Sequence, residues 1–410
     1  MFKRICKYFG YTAVWVTALI LALLLVIYLL IINSGFITKV ALPVASLFSG
    51  QEIEAEKFEI SPFRTRIHVQ NFRLGDVDDP ILTIGTLDSG YGFWRTVGGT
   101  PKLYDTVAGD VNVYLNLAAP ASGNAAEQTK KDVSRLGMDL QNFAVNRANV
   151  YIKMGKDTTL SVTGIDFKVD RIRNRGAGSL KATGQAVFQS GPNITVKSGD
   201  VSLMGDFKFD RSPIPERLKL DLRLGMMSGK INGLAVSEQT LMLAAEAAAD
   251  RNGEMTLRDF TFRQFVGDEK KSDVSAKGSF RPEDGAASLQ LAVKPLSPDI
   301  IRLASIYFTG VDPGSARLFY DGSAKWNRKG TVMAKGNLEL FRTGPLTAAG
   351  EKFAVPEWDF KLIHDFTVNY LRRDAVIRAF SAGFSDHGRE TIVCDCAAAR
   401  PSASASIAVR

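Results

Sequence analysis

A two-residue alternation of apolar and polar side chains recurs from about residue 50 onward and constrains the fold more than any other feature. In residues 218–224 every second residue is leucine, and Lys219, Asp221 and Arg223 stand between them. This period is typical of a strand with one apolar and one solvated face. Similar runs lie at residues 67–69, 111–117, 165–169, 289–293 and 338–340. The sequence therefore predicts a mainly β protein of antiparallel strands.

Turn signals separate these runs. Clusters rich in Gly, Asp, Asn or Pro predict turns at the following places: Gly75-Asp76, Asp200, Gly225, Asn252-Gly253, residues 282–285 and residues 327–330.

Helix signals are few. Ser297, Pro298 and Asp299 form a strong helix start, with an N-cap, a proline in the first turn and an acidic residue, and Gly310 predicts its end. A second short helix is expected over residues 36–48, interrupted by Pro43. Residues 241–249 have helical propensity, but their neighbours favour a strand.

The number of strands limits how the sheet can be completed. We expect about 18–24 strands after residue 50, which at about 4.8 Å spacing gives an open width on the order of 90–110 Å. Few helices are available to cover an apolar face of that width. Such a sheet must close on itself, fold into a sandwich, or bend around an apolar ligand.

An apolar segment near the N-terminus predicts a membrane anchor. Residues 13–32 carry no charge, and 20 residues at about 1.5 Å each span the hydrocarbon core. Lys3, Arg4 and Lys7 precede the segment, which places residues 1–12 in the cytoplasm and the following chain outside it. The alternative is a cleaved signal peptide, but the run is long for one and no small-residue cleavage site follows it.

Composition divides the remaining chain and narrows its chemistry. We expect a membrane-proximal β region at residues 33–117, a linker or loop at 118–132, a distal β region at 133–396 and a flexible tail at 397–410. The chain has 51 basic and 43 acidic residues, and the basic ones are scattered, which argues against a nucleic-acid partner. Three His and three Cys give little material for a metal site. His387 near Cys394 and Cys396 is a poor ligand set, so we expect no metal, no cofactor, no catalytic residue and no enzyme activity.

Three segments resemble the AsmA-like family of inner-membrane-anchored envelope proteins. They are LFSGQEIEAEKFEISPFRTRIHVQNFRLGD at residues 47–76, the two strands within 81–117, and FAVNRANVYIKMGKDTTLSVTGIDFKVD at 143–170. Together with the apolar anchor and the later strand-turn-strand rhythm, the resemblance covers about residues 10–345. It implies an elongated, bent antiparallel sheet with a taco-like apolar groove, and a role in phospholipid movement between inner and outer membranes.

The resemblance also implies which side chains would line the groove and hold acyl chains by apolar contact, at about 0.8 kcal/mol per buried CH₂. These lipid-groove residues are Val111, Val113, Leu115, Ile165, Phe167, Val169, Phe207, Phe209, Leu218, Leu220, Leu222, Phe260, Phe262, Leu289, Leu291, Leu338 and Leu340. The alternation alone favours a dry core in a sandwich or barrel, and the open groove becomes comparable only with the resemblance and the scarcity of covering helices.

Two functions therefore compete. The first is a periplasmic lipid-binding protein in the inner membrane, with phospholipid as its ligand and a second envelope protein as a further partner. The second is a structural or outer-membrane assembly factor without a lipid ligand. An open apolar groove favours the first and a filled core favours the second.

Overall fold

The computed structural model confirms that the protein is mainly β: strands account for 80% of it and helices are few. It describes residues 34–399 apart from 62–64, 93–101, 118–138, 174–175, 210–214, 232, 251–252, 310, 349–350, 355–356, 370, 372–373 and 387–388. The predicted membrane segment, the predicted linker and His387 lie outside the described residues.

The helices are short. α1 (Ser34–Phe36), a π-helical turn (Ile37–Ala41) and α2 (Leu42–Ser49) follow one another without a break. α3 (Pro298–Thr309) confirms the helix predicted between Ser297 and Gly310. The prediction that Pro43 interrupts the first helical segment is wrong, because Pro43 is the second residue of α2. The wider π-helical turn before it leaves room for a residue without an N–H donor.

Twenty-one strands are described, and every pairing between them is antiparallel. They are β1 (Ile53–Ser61), β2 (Arg66–Gly75), β3 (Pro80–Tyr91), β4 (Lys102–Asn116), β5 (Asp139–Lys153), β6 (Thr158–Arg173), β7 (Ala177–Ser190), β8 (Ile194–Phe209), β9 (Pro215–Ile231), β10 (Leu234–Ala249), β11 (Met255–Val266), β12 (Glu269–Arg281), β13 (Ala286–Leu296), β14 (Val311–Asp312), β15 (Ser315–Trp326), β16 (Thr331–Thr343), β17 (Leu346–Ala348), β18 (Glu351–Phe353), β19 (Trp358–Asn369), β20 (Asp374–Asp386) and β21 (Arg389–Ala399). The ambiguous segment 241–249 is strand, as its neighbours indicated. Residues 397–399 end β21, so they do not belong to the predicted tail.

The chain divides into two compact units. Unit 1 comprises residues 1–152 and 163–172, and unit 2 comprises residues 153–162 and 173–410. The division therefore falls within β5 and β6, not at the linker expected over residues 118–132. The alternation continues through both strands, so no break in composition marks this boundary.

In unit 1, the first helical segment packs beside β1 and satisfies backbone donors of that strand. The Ile53 N–H donates to Ser46 Oγ at 2.8 Å, and the Phe58 N–H donates to Ser34 Oγ at 3.2 Å. A strand edge with free N–H groups invites pairing with another chain. The two serine hydroxyls occupy part of that edge.

Unit 1 also contains a row of residues with left-handed backbone, which we call the switch row. It consists of Asn71, Asp110, Arg147 and Gly164, with φ of 50°, 53°, 56° and 62°. At each of these residues the spacing of apolar side chains changes from two to three. Each strand therefore turns sharply there while its apolar residues stay on one face.

The buried cluster of unit 1 shows this change of spacing directly. Ala108 and Val111 flank Asp110, Val145 and Ala148 flank Arg147, and all four apolar residues belong to one cluster. With strict alternation, residues three apart would point to opposite faces. The switch row therefore keeps the core of unit 1 on a single face.

Side-chain oxygens replace backbone bonds along the switch row. The Arg147 N–H donates to Asp166 Oδ1 at 3.2 Å, and the Gly164 N–H donates to Asn149 Oδ1 at 3.1 Å. Arg147 Nη2 also donates to Asp110 Oδ2 at 2.9 Å. Polar residues at the bend thus supply the hydrogen bonds that the interrupted ladder lacks.

Unit 2 contains a long antiparallel meander. Consecutive strands pair from β7 to β13, and the series continues through β15, β16, β19, β20 and β21. β14, β17 and β18 form a separate three-stranded sheet. Helix α3 contacts β9, β14 and β15.

The turns predicted at Asp200 and Gly225 are wrong. These two residues pair with each other inside β8 and β9. Met226 follows directly, and it is the one non-glycine residue with positive φ in the described part of unit 2. Asp200 and Gly225 lie at a bend within paired strands. Such bends favour the same residue types as turns, which explains why the sequence predicted turns here.

Candidate functional site

The strand register of unit 2 brings apolar side chains from many strands onto one face, which we call the apolar face. Directly paired residues in antiparallel strands point to the same side of the sheet. One row across the strands is Leu203, Leu222, Leu243, Phe262, Val274, Val293, Tyr320, Leu338, Leu362 and Ala382. The neighbouring row is Gly205, Leu220, Ala245, Phe260, Ala276, Leu291, Gly322, Gly336, His364 and Phe380. No Lys, Arg, Asp or Glu occurs in either row.

The second row alternates large and small residues. Leu220, Phe260 and Leu291 are separated by Ala245 and Ala276. Small residues between large ones leave shallow furrows that run along the strands. An alkyl chain is narrow enough to lie in a furrow of this kind and to contact the side chains on both sides.

Eleven of the seventeen predicted groove residues belong to unit 2 and all eleven share the apolar face. They are Phe207, Phe209, Leu218, Leu220, Leu222, Phe260, Phe262, Leu289, Leu291, Leu338 and Leu340. Phe207 is buried at 7% exposure, and the other ten remain partly accessible. Aliphatic side chains at the centre of a packed core are normally buried on all sides. This face therefore retains apolar surface that the described residues do not cover.

The other six predicted residues belong to unit 1, and most of them pack in its buried cluster. Val111, Val113, Ile165 and Phe167 lie in or against that cluster, and Phe143 meets Phe167 edge-on at 6.2 Å between ring centres. Val169 and Leu115 differ sharply, with exposures of 3% and 40%.

The opposite face of the unit 2 sheet is charged. Glu246 Oε1 lies 3.2 Å from Arg217 Nη2 and 3.4 Å from Arg258 Nη1. Arg263 pairs with Asp273 across neighbouring strands at 3.8 Å. These exposed pairs contribute little to stability, but they keep this side of the sheet solvated.

A buried polar network, which we call the clamp, lies at one end of the apolar face. Gln264 Nε2 donates to Gln239 Oε1, while Ser272 Oγ and Ser297 Oγ donate to Gln264 Oε1 at 2.8 and 2.5 Å. The Ser297 N–H donates to Ser272 Oγ at 2.9 Å, and Ser297 Oγ accepts the Ile300 N–H at 3.3 Å. The exposure of these four polar residues is between 0% and 4%.

The clamp fixes the N-terminus of α3 to three strands. Ser297 is the N-cap predicted from the sequence, but its bonds to Gln264 and Ser272 were not predicted. The helix is also held by Arg302, whose Nε and Nη2 donate to Asp312 at 2.8 and 2.5 Å. That hydrogen bond raises the pKa of Arg302 above its ordinary value, so the guanidinium stays charged.

Two aromatic polar side chains also lie on the apolar face and were not predicted. Tyr320 and His364 stack with 6.1 Å between ring centres and an interplanar angle of 14°. The meeting of the two rings depends on strand register, which a single sequence does not specify.

Comparison with known proteins leaves the family open. No protein-family model matches the chain, and no curated protein matches it significantly. None of the described helices is long and apolar enough to cross a membrane. The described side chains contain no group of three His, Cys, Asp or Glu that could hold a metal ion, and those of Cys394 and Cys396 are not among them.

Proposed function

We propose that the protein binds membrane lipid on the apolar face of unit 2 and aids phospholipid transport between the two membranes of a bacterial envelope. The observation that carries the proposal is the pair of apolar rows across β8–β20, free of charged residues and left partly accessible. Uncovered apolar surface of this extent is costly in water and marks a binding surface. Acyl chains are ligands that can cover it without polar partners.

The amino-terminal sequence supports a location at the inner membrane for this function. The charge-free run 13–32, with Lys3, Arg4 and Lys7 before it, is suited to a single-pass anchor with the N-terminus in the cytoplasm. The following chain would then lie in the periplasm, beside the inner membrane. The resemblance to the AsmA-like family supports the same location, lipid partner and non-enzymatic role.

The direct test is site-specific photo-crosslinking in the full-length chain. Benzoylphenylalanine would replace Leu220, or its neighbour Lys219 on the charged face, in a bacterium with two membranes. We expect lipid adducts at Leu220 and none at Lys219, because only the apolar face offers contact for acyl chains. Mass spectrometry of the purified protein identifies the adducts.

A second matched pair of crosslinking positions, on another strand, tests whether the result depends on the surroundings of Leu220 alone. Leu291 lies on the apolar face of β13, and Gln290 beside it is exposed on the other face. Absence of lipid adducts at both Leu220 and Leu291, in protein that is folded and membrane-associated, would contradict lipid binding. The structural or assembly role, with a second envelope protein as partner, would then be the better explanation.

A further inference from the structure

Two facing glycines on the apolar face of unit 2 make room for a tyrosine ring. Gly322 on β15 pairs with Gly336 on β16. A Cβ atom at Gly336 would lie 2.9 Å from the Tyr320 hydroxyl, and one at Gly322 would be closer still. The ring of Tyr320 therefore reaches over the two glycines, and any larger residue at either position would displace it.

His364 adds a second polar aromatic side chain beside these glycines, and we call Tyr320 and His364 together the polar island. His364 follows Gly336 in the same row, stacks on Tyr320, and lies 5.8 Å from the ring centre of Phe366. Its Nδ1 atom is buried and has no hydrogen-bond partner. Among the described residues, the Tyr320 hydroxyl has none either. Buried polar atoms are nearly always paired, so His364 Nδ1 lacks a partner that it would normally have, whereas the Tyr320 hydroxyl is accessible and open to a ligand on this face.

The chemistry of the island selects an uncharged or weakly charged oxygen acceptor. Burial, and secondarily the Asp321 carboxylate, raise the pKa of Tyr320, so its hydroxyl remains a donor at neutral pH. The imidazole ring of His364 offers one further N–H donor. No lysine or arginine stands in the two rows to neutralise a phosphate. A carbonyl oxygen attached to an alkyl chain fits both the donors and the apolar surroundings.

We propose that Tyr320 and His364 form a subsite that hydrogen-bonds the carbonyl oxygen of an acyl lipid lying on the apolar face. The inference rests on the proposed function and adds a position and a chemical class to it. The carbonyl belongs to a phospholipid ester or to the carboxyl group of a free fatty acid. The ester is favoured, because the two rows hold no lysine or arginine to pair with a carboxylate.

Matched probes test the subsite in the purified full-length chain in a non-ionic detergent. The probes are photoactivatable phosphatidylglycerols with either ester-linked or ether-linked chains, which differ only in the carbonyl groups. We expect the ester probe to bind about tenfold more tightly, the effect of roughly one good hydrogen bond in apolar surroundings. Tyr320→Phe with His364→Phe keeps both rings and should abolish the preference, so that the ester and ether probes bind equally.

A photoactivatable fatty acid separates the two sources of the carbonyl. Preferential binding of this probe, lost in the double variant, would assign the subsite to the carboxyl group. Tyr114→Phe in unit 1 is the control, since Tyr114 stacks on Tyr151 at 5.1 Å and lies 38% exposed outside the apolar face. It should change neither affinity.

The outcomes distinguish failure of the carbonyl subsite from failure of the proposed lipid binding. Equal binding of ester and ether probes by the wild-type chain, or a preference that survives the double variant, would overturn the subsite and leave lipid binding intact. Failure of every probe to bind would overturn both. An unchanged melting temperature in the double variant excludes a merely structural effect on the preference.

Discussion

The same alternation of apolar and polar side chains gives a buried cluster in unit 1 and a partly accessible face in unit 2. In unit 1 the switch row keeps small residues such as Ala108 and Ala148 on one face, where they pack into a buried cluster. In unit 2 the rows of Leu and Phe stay partly accessible, and Tyr320 and His364 are the two polar side chains within these rows. An apolar strand face is therefore buried in a core or left accessible according to what covers it, and not according to its pattern.

A buried carboxylate should separate the two faces most strongly. Val111→Asp in the cluster of unit 1 should destabilise the protein by about 4–5 kcal/mol, because the charge is cut off from water. Leu220→Asp should cost about 1–2 kcal/mol, mainly lost apolar contact, since its carboxylate can reach solvent. Denaturant unfolding of both full-length variants measures the difference. Equal losses would mean that the face of unit 2 is a filled core.

The clamp offers the next largest effect. Gln264→Leu removes the acceptor of Ser272 and Ser297 and the donor to Gln239, so we expect a loss of about 3 kcal/mol. Hydrogen exchange of α3 should quicken, because its N-cap loses its anchor. Gln290→Leu, on the exposed face of β13, is the control and should change stability by less than about 0.5 kcal/mol. Unchanged exchange in α3 would show that the clamp does not hold the helix.

Substitutions at the left-handed residues test the bends in both units. Asp110→Val in unit 1 and Met226→Val in unit 2 should each cost about 2 kcal/mol, since a β-branched residue resists positive φ. Met226→Gly should stabilise by up to about 1 kcal/mol. Asp110→Gly should be nearly neutral, because relief of strain offsets loss of the exposed pair with Arg147. Thermal unfolding measures all four, and a stabilising valine at either site would contradict the backbone geometry.

The smallest effect concerns one tyrosine in each unit. Burial, with a smaller effect of Tyr104, raises the pKa of Tyr91, and burial with Asp321 raises that of Tyr320. The folded protein therefore holds these protons more firmly than the unfolded chain, whose tyrosines have a pKa of about 10. The resulting stability is complete below about pH 10 and is lost as pH rises through the folded pKa. Each Tyr→Phe variant should lose stability less steeply than wild type above pH 10. Equal slopes would contradict the burial of the phenol.

The sequence predicted more of the strands than of the bends. Strands such as β9 and β13 were evident from their leucines, and α3 from its Ser-Pro-Asp start. The change of spacing at Asp110 is visible in the sequence as apolar residues three apart at 108 and 111, but in a single strand such a change cannot be told from ordinary sequence variation. It becomes interpretable as a bend only because neighbouring strands change spacing at the same position. That comparison requires the strand register.

The candidate site divides in the same way. The alternation determined by itself that Leu218, Leu220 and Leu222 share a face, because side-chain direction along a strand is local geometry. Tertiary structure alone decided that this face joins those of nine further strands, that the face of unit 1 is packed, and that Tyr320 meets His364 over two glycines. Those facts depend on pairing between distant segments, and the free energy of such pairing is spread over many residues, so no single stretch of sequence records it.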